Sequence, residues 1–176
     1  MPTRRRFGST DLQVSPLCLG ANVFGWTCDE EQSFAVLDAY VEAGGNFIDT
    51  ANGYTKGHSE VIIGDYLART PGRRDRIVLA TKFSSNLFLG DPNAGGASRK
   101  NIMASCDESL RRLKTDYIDL YWMHFWGTGG QEVPAEVSRA RDQAIEALKE
   151  LRDGGRTLDT DTAPTSNTGV KSVSMS

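Results

Sequence analysis

Three short apolar runs in this chain each end in an ionisable side chain, and segments with helical spacing separate them. Phe47-Ile48 runs into Asp49, with Tyr54 following after Thr50-Ala51-Asn52-Gly53. Ile77-Val78-Leu79-Ala80-Thr81 runs into Lys82, and Tyr117-Ile118-Asp119-Leu120-Tyr121-Trp122-Met123 runs into His124. Short apolar strands alternating with helices read as βαβ units on a parallel sheet. In a parallel α/β barrel the strand ends converge on one face, and chemistry is done there. The pattern therefore brings a carboxylate, a phenol, an ammonium and an imidazole to one place.

The intervening segments carry ordinary start and stop signals. Residues 4–14 read as a hairpin around Gly8-Ser9-Thr10-Asp11, and Leu17-Cys18-Leu19 as a short strand broken by Gly20. Asp29 can cap a helix bearing Phe34, Leu37 and Val41 on one face, with Gly44-Gly45 as its end. Ser59 can cap a second, with Ile62, Ile63, Tyr66 and Leu67 inward, and Pro71-Gly72 stops it. A loop follows Lys82. A third helix from about Ser98 then turns Ile102, Met103, Cys106, Leu110 and Leu113 inward, and a fourth, over residues 134–152, carries Ile145, Leu148 and Leu151.

With 176 residues, the chain is long enough for one domain with a sizeable core. It is short for an eight-fold barrel, which takes roughly 250 residues. A net charge of −3 argues against nucleic acid or an anionic membrane as the main partner. Three scattered cysteines without metal-ligand spacing fit a reducing cytoplasm. The basic start passes into Phe7-Gly8-Ser9-Thr10-Asp11 and not into an apolar run, so no secretion signal is expected, nor is a membrane span.

Taken together, these motifs resemble the aldo-keto reductase family over about residues 4–126. The anchors are Phe47-Ile48-Asp49-Thr50-Ala51 with Tyr54, Gly57-His58-Ser59-Glu60 leading into Ile63-Gly64, Thr81-Lys82, and Asp119-Leu120-Tyr121 with His124. The resemblance implies a (β/α)8 TIM barrel closed at its base by the N-terminal hairpin. Residues 1–153 would supply about four of its βα units, making a partial barrel. It implies NADPH-dependent reduction of an aldehyde or ketone without a metal, with Asp49, Tyr54, Lys82 and His124 as the catalytic tetrad. Gly20, Ala21, Asn22 and Asp49 would then lie at the nicotinamide end of NADP(H). Phe24, Trp26, Phe83, Phe125 and Trp126 would wall a substrate pocket, or else pack in the core. No G-x-G-x-x-G occurs, so a Rossmann-type cofactor site is not indicated.

The residue types suit that chemistry. Carbonyl reduction needs a hydride, which no side chain supplies, and a proton for the developing alkoxide. A free phenol is a weak acid, with a pKa of about 10. An adjacent ammonium stabilises its conjugate base, and a carboxylate keeps a partly buried ammonium charged. An imidazole can hydrogen-bond the substrate oxygen and orient it. Taken singly, each residue has a plain structural reading, and His58 in its loop before a helix is read as structural.

Beyond the fourth unit the resemblance fades. Residues 157–165 are too polar for a barrel strand, and residues 154–176 read as a disordered tail. In the family, the basic loop that grips the cofactor phosphates lies in the second half, for which this chain has no residues. Two copies pairing through their open barrel edges, as a homodimer, would satisfy the unpaired strands. The alternative to an enzyme is a non-catalytic remnant or interaction module.

Overall fold

A computed structural model of the chain describes residues 3–87, 90, 91, 94–124 and 135–159. Arg5–Arg6 (β1) and Gln13–Val14 (β2) pair antiparallel as the expected hairpin. Leu19–Gly20 (β3), Phe47–Asp49 (β4), Val78–Phe83 (β5), Ile118–Met123 (β6) and Thr157–Asp159 (β7) form one parallel sheet in the order β3-β4-β5-β6-β7. The crossovers carry Glu30–Glu42 (α1), His58–Ala68 (α2), Arg99–Leu113 (α3) and Ala135–Asp153 (α4). Four βα units thus lead into a fifth strand, and among the described residues the sheet runs from β3 to β7. No helix among the described residues is long and apolar enough to cross a membrane.

Side chains alternate across a strand with period two, which divides the core in two. Ile48, Leu79, Phe83 and Tyr121 point into a large cluster with Leu37, Ile62, Ile63, Tyr66, Ile102, Cys106 and Leu113 of the helices. Phe47, Val78, Ala80 and Leu120 face the other way and meet Val14, with Phe7, Leu12 and Trp122 packed against them. The hairpin is the floor of this inner layer. Phe7 packs edge-on to Phe47 at 5.5 Å and to Trp122 at 6.0 Å between ring centroids. Period two then dictates the next residue along each row: Asp49 follows Phe47, Lys82 follows Ala80, and His124 follows Trp122.

Helix starts follow their chemistry, with one correction. Asp29 caps α1 in a capping box, its carboxylate accepting from Gln32 N–H at 2.8 Å while Gln32 Oε1 accepts from Asp29 N–H at 3.1 Å. Ser98 caps α3 by accepting from Asn101 N–H at 3.2 Å. Ser59 does not cap α2. That helix begins at His58 after Gly57, whose φ of +88° suits a residue without Cβ, and the Ser59 hydroxyl turns inward.

The expectation that residues 157–165 are too polar for a strand is corrected for the first three. Gly154 and Gly155 end α4, and Thr157–Asp159 then pairs in parallel with β6, Thr157 opposite Ile118 and Asp159 opposite Leu120. Backbone pairing along an existing edge needs little apolar surface, and a β-branched residue such as Thr157, buried here, suits it. The remainder of the predicted tail, residues 160–176, lies outside the described residues.

Helix α2 crosses α3 closely at Gly64, where a methyl group would sit 2.2 Å from the Arg112 carbonyl oxygen. Gly64→Ala should therefore lower the unfolding free energy by about 1–3 kcal/mol through overpacking. In an unobstructed helix the same change would raise it by roughly 0.5–1 kcal/mol. Urea denaturation reads the sign.

Candidate active site

The parallel ladder continues past the ends of β3, β4 and β6 and fixes the residues that leave them. Ala21 N–H donates to Asp49 O at 2.9 Å, Thr50 N–H to Ala80 O at 2.9 Å, and Asn52 N–H to Lys82 O at 2.9 Å. His124 is held the same way, its backbone N–H donating to Phe83 O at 3.1 Å. Tyr54 opens the short 3₁₀ turn Tyr54–Gly57. Inside this turn Thr55 (φ 48°) and Lys56 (φ 55°) are left-handed, a conformation that costs a non-glycine residue about 1–2 kcal/mol. The Thr55 hydroxyl anchors the turn by donating to Phe24 O at 3.0 Å.

These constraints bring Asp49, Tyr54, Lys82 and His124 together. The Lys82 ammonium donates to the Asp49 carboxylate, to Thr50 O at 2.9 Å and to the Tyr54 hydroxyl oxygen at 3.2 Å. An ammonium has three N–H groups, and this one has a partner for each. The Tyr54 oxygen accepts in this contact, so its own O–H remains to donate elsewhere. The imidazole of His124 stands edge-on to the phenol ring, 5.5 Å between centroids with the planes at 86°. The Lys82 and Asp49 side chains are 16% and 26% exposed, so the pair is sheltered yet open to a ligand.

Charge and burial set the titration of this group. Burial raises the Asp49 carboxyl above its ordinary range, and the Lys82 ammonium draws it part of the way back. Burial lowers the His124 imidazole, as does the Lys82 charge, while Asp49 opposes them. At neutral pH this histidine is a neutral hydrogen-bonding group.

A layer of buried polar groups supports the four. The Ser59 hydroxyl donates to Ala21 O at 2.7 Å and shares a 2.9 Å hydrogen bond with Thr50 Oγ1, tying α2 to the residue whose carbonyl holds Lys82. Glu60 is fully buried and accepts from Thr81 Oγ1 at 2.6 Å and Arg112 Nε at 2.7 Å. It joins α2, α3 and the strand residue beside Lys82. The sequence pattern gave Ser59, Glu60, Thr81 and Arg112 no part in the site. The available signal was Glu60, a charge set among the inward Ser59, Ile62 and Ile63 of one helix, which demands a buried partner.

Other candidates fall elsewhere. Phe83 is no pocket wall: it is fully buried, with its ring 5.0 Å from that of Tyr121, because it sits one residue out of phase with Lys82. Phe24 is likewise core. Ala21 is fully buried with its N–H and carbonyl both engaged, so it braces the loop and cannot present a side chain to a cofactor. Gly20 and Asn22 are exposed, and Trp26 is 74% exposed in the loop that Thr55 anchors. His58 is exposed at the start of α2. Phe125 and Trp126 lie outside the described residues. Asp119 serves the far side of the sheet, accepting from Arg74 Nη2 at 2.7 Å and Leu79 N–H at 2.9 Å.

The fold and the sequence agree with known proteins. The Aldo/keto reductase family model matches residues 16–173. Norsolorinic acid reductase B of Aspergillus parasiticus is 43% identical, over 67% of this chain and 34% of that protein. The protein of the same name from Dothistroma septosporum is 40% identical, over 90% of this chain and 41% of its own length. An aldo-keto reductase from Bacillus halodurans, in its holo form, superposes with a TM-score of 0.76 at 35% identity, covering 91% of this chain and 49% of that one. The chain thus spans less than half the length of these relatives. It belongs to the aldo/keto reductase family.

Replacing Lys82 by Met removes a charge that lowers both Asp49 and His124. Both groups should then titrate at higher pH than in the unsubstituted chain, with His124 moving back towards about 6.5. NMR titration of the Asp49 carboxyl carbon and the His124 ring nitrogens checks both directions at once.

Proposed function

We propose that this member of the aldo/keto reductase family reduces an aldehyde or ketone to an alcohol with NADPH, using Asp49, Tyr54, Lys82 and His124. The observation that carries this reading is Lys82 Nζ, which touches the Asp49 carboxylate on one side and lies 3.2 Å from the Tyr54 hydroxyl on the other. Tyr54 donates its proton to the carbonyl oxygen as negative charge builds there. The ammonium offsets the charge left on the phenol oxygen, and Asp49 keeps that ammonium in place. His124, neutral beside the phenol, hydrogen-bonds the same carbonyl oxygen and orients it.

The strand ends fit the nicotinamide part of the cofactor. A methyl group at Gly20 would meet nothing nearer than Asn22 Oδ1 at 3.8 Å, so a flat ring can approach the backbone there. Gly20, Asn22 and Asp49 would hold that end. When bound, NADPH supplies the hydride. Aryl carbonyl compounds are the first substrates to test, since one relative is an aryl-alcohol dehydrogenase [NADP(+)] of Phanerodontia chrysosporium, 43% identical over 65% of this chain and 34% of its own. Cys18, Cys28 and Cys106 are all free, which suits the reducing cytoplasm as the place of action.

The test is loss of NADPH absorbance with an aryl aldehyde. Tyr54→Phe should lower the rate by about 10²–10⁴-fold, the usual contribution of a positioned proton donor, with the circular dichroism spectrum unchanged. Equal rates in both proteins would overturn the assignment of Tyr54. Absence of NADPH binding by fluorescence quenching would favour a non-catalytic binding module.

A further inference from the structure

Thr50 and Ser59 are both fully buried, and neither has a part in the proton transfer proposed above. Their hydroxyl groups lie 2.9 Å apart, and Ser59 Oγ also lies 2.7 Å from the carbonyl oxygen of Ala21. A hydroxyl has one proton to donate, and a carbonyl oxygen has none. The Ser59 proton is therefore committed to Ala21 O, and the Thr50 hydroxyl must donate to Ser59 Oγ. Hydrogen bonds run one way, from Thr50 through Ser59 to Ala21.

Both ends of this chain belong to the frame of the site. Thr50 N–H donates to Ala80 O at 2.9 Å, and Thr50 O accepts from the Lys82 ammonium at 2.9 Å. With its hydroxyl tied to α2 as well, Thr50 is fixed at three points, and its carbonyl is aimed at the ammonium. Ala21 N–H donates to Asp49 O at 2.9 Å, so Ser59 secures the other polar group of the same residue. Ala21 separates Gly20 from Asn22, which with Asp49 would hold the nicotinamide end. Ser59 is itself held by its neighbour Glu60, which accepts from Thr81 Oγ1 at 2.6 Å and Arg112 Nε at 2.7 Å. At full burial no bulk water can replace a lost partner, so each hydroxyl decides an orientation.

We infer that Ser59 is a positioning residue for two parts of the site at once. Through Thr50 it holds an acceptor of the Lys82 ammonium, and through Ala21 it holds the backbone against which the nicotinamide would lie. The Ala21 half rests on the NADPH reading above, whereas the Lys82 half is independent of any cofactor.

Substitutions on either side of the Thr50–Ser59 bond separate the halves. Thr50→Val keeps the shape, deletes the hydroxyl and leaves the Ser59–Ala21 bond in place. Thr50→Ser keeps the hydroxyl. Exchange of the Lys82 ammonium protons with water, read by NMR on the chain without ligands, should be about tenfold faster in Thr50→Val and within about twofold of the unsubstituted rate in Thr50→Ser. Amide exchange in the rest of β5 should not change. An unaltered ammonium rate in Thr50→Val overturns the Lys82 half. So does acceleration of the ammonium and the β5 amides alike, which marks lost packing and not lost positioning.

NADPH affinity by fluorescence quenching tests the other half. Ser59→Ala should weaken it about tenfold, and Thr50→Val should leave it within about twofold. Ser59→Cys, whose thiol is a weak donor of similar size, should fall between and gives a reading if Ser59→Ala does not fold. Unchanged affinity in the folded Ser59 variants, or equal losses in Thr50→Val, overturns the Ala21 half. If the unsubstituted chain binds no NADPH, the cofactor reading falls and takes the Ala21 half with it, while the ammonium measurement still decides the Lys82 half.

Discussion

A partly buried ammonium cannot stay charged without company, and the functional end of this molecule is arranged around meeting that demand for Lys82. Its three N–H groups are taken by the Asp49 carboxylate, the Thr50 carbonyl and the Tyr54 hydroxyl. The partners come from the last residue of β4 and the segment that leaves it, while the lysine lies one residue before the end of β5. The contact can form only if two neighbouring parallel strands are in register, with Asp49 opposite Ala80 and Lys82 one inward step beyond. Register, hairpin floor and helix packing all serve that placement.

The inner rows show why a barrel-like sheet is a good place to do this. Apolar side chains fill the lower rungs against Phe7 and Leu12 of the hairpin, and charged ones begin where the apolar floor ends. A charged group placed one rung lower would be buried without a partner. One placed a rung higher would be in a loop, its direction set by fewer backbone hydrogen bonds. The ladder bonds that continue past the strands, such as Asn52 N–H to Lys82 O, extend the rigid part just far enough to carry the site.

Much of this was legible from the sequence because period two is a local rule. The rows Phe47 to Asp49, Ala80 to Lys82 and Trp122 to His124 can be counted without coordinates, as can the capping residues Asp29 and Ser98. What escaped depends on partners distant in sequence. Ser59 looked like a helix cap because its carbonyl acceptor on Ala21 lies 38 residues away. Ala21 and Phe83 sit beside candidate site residues in sequence yet point into the helix layer, where only the sheet's phase could have placed them. Thr157 looked too polar for a strand, since the pairing that orders it comes from the edge of β6 and not from its own side chain. Buried pairs such as Arg112 with Glu60 and Arg74 with Asp119 were likewise invisible, each joining residues more than forty positions apart.

The central claim is that Asp49 and Lys82 are physically coupled at the foot of the Tyr54 loop. A double-mutant cycle on unfolding free energy, with Asp49→Asn, Lys82→Met and the pair together, measures that coupling without any cofactor. The structure predicts a favourable interaction of at least about 1 kcal/mol, within the range found for residues in direct contact. If the two substitutions instead add to within about 0.3–0.5 kcal/mol, as independent sites do, the contact on which the site depends does not exist in solution.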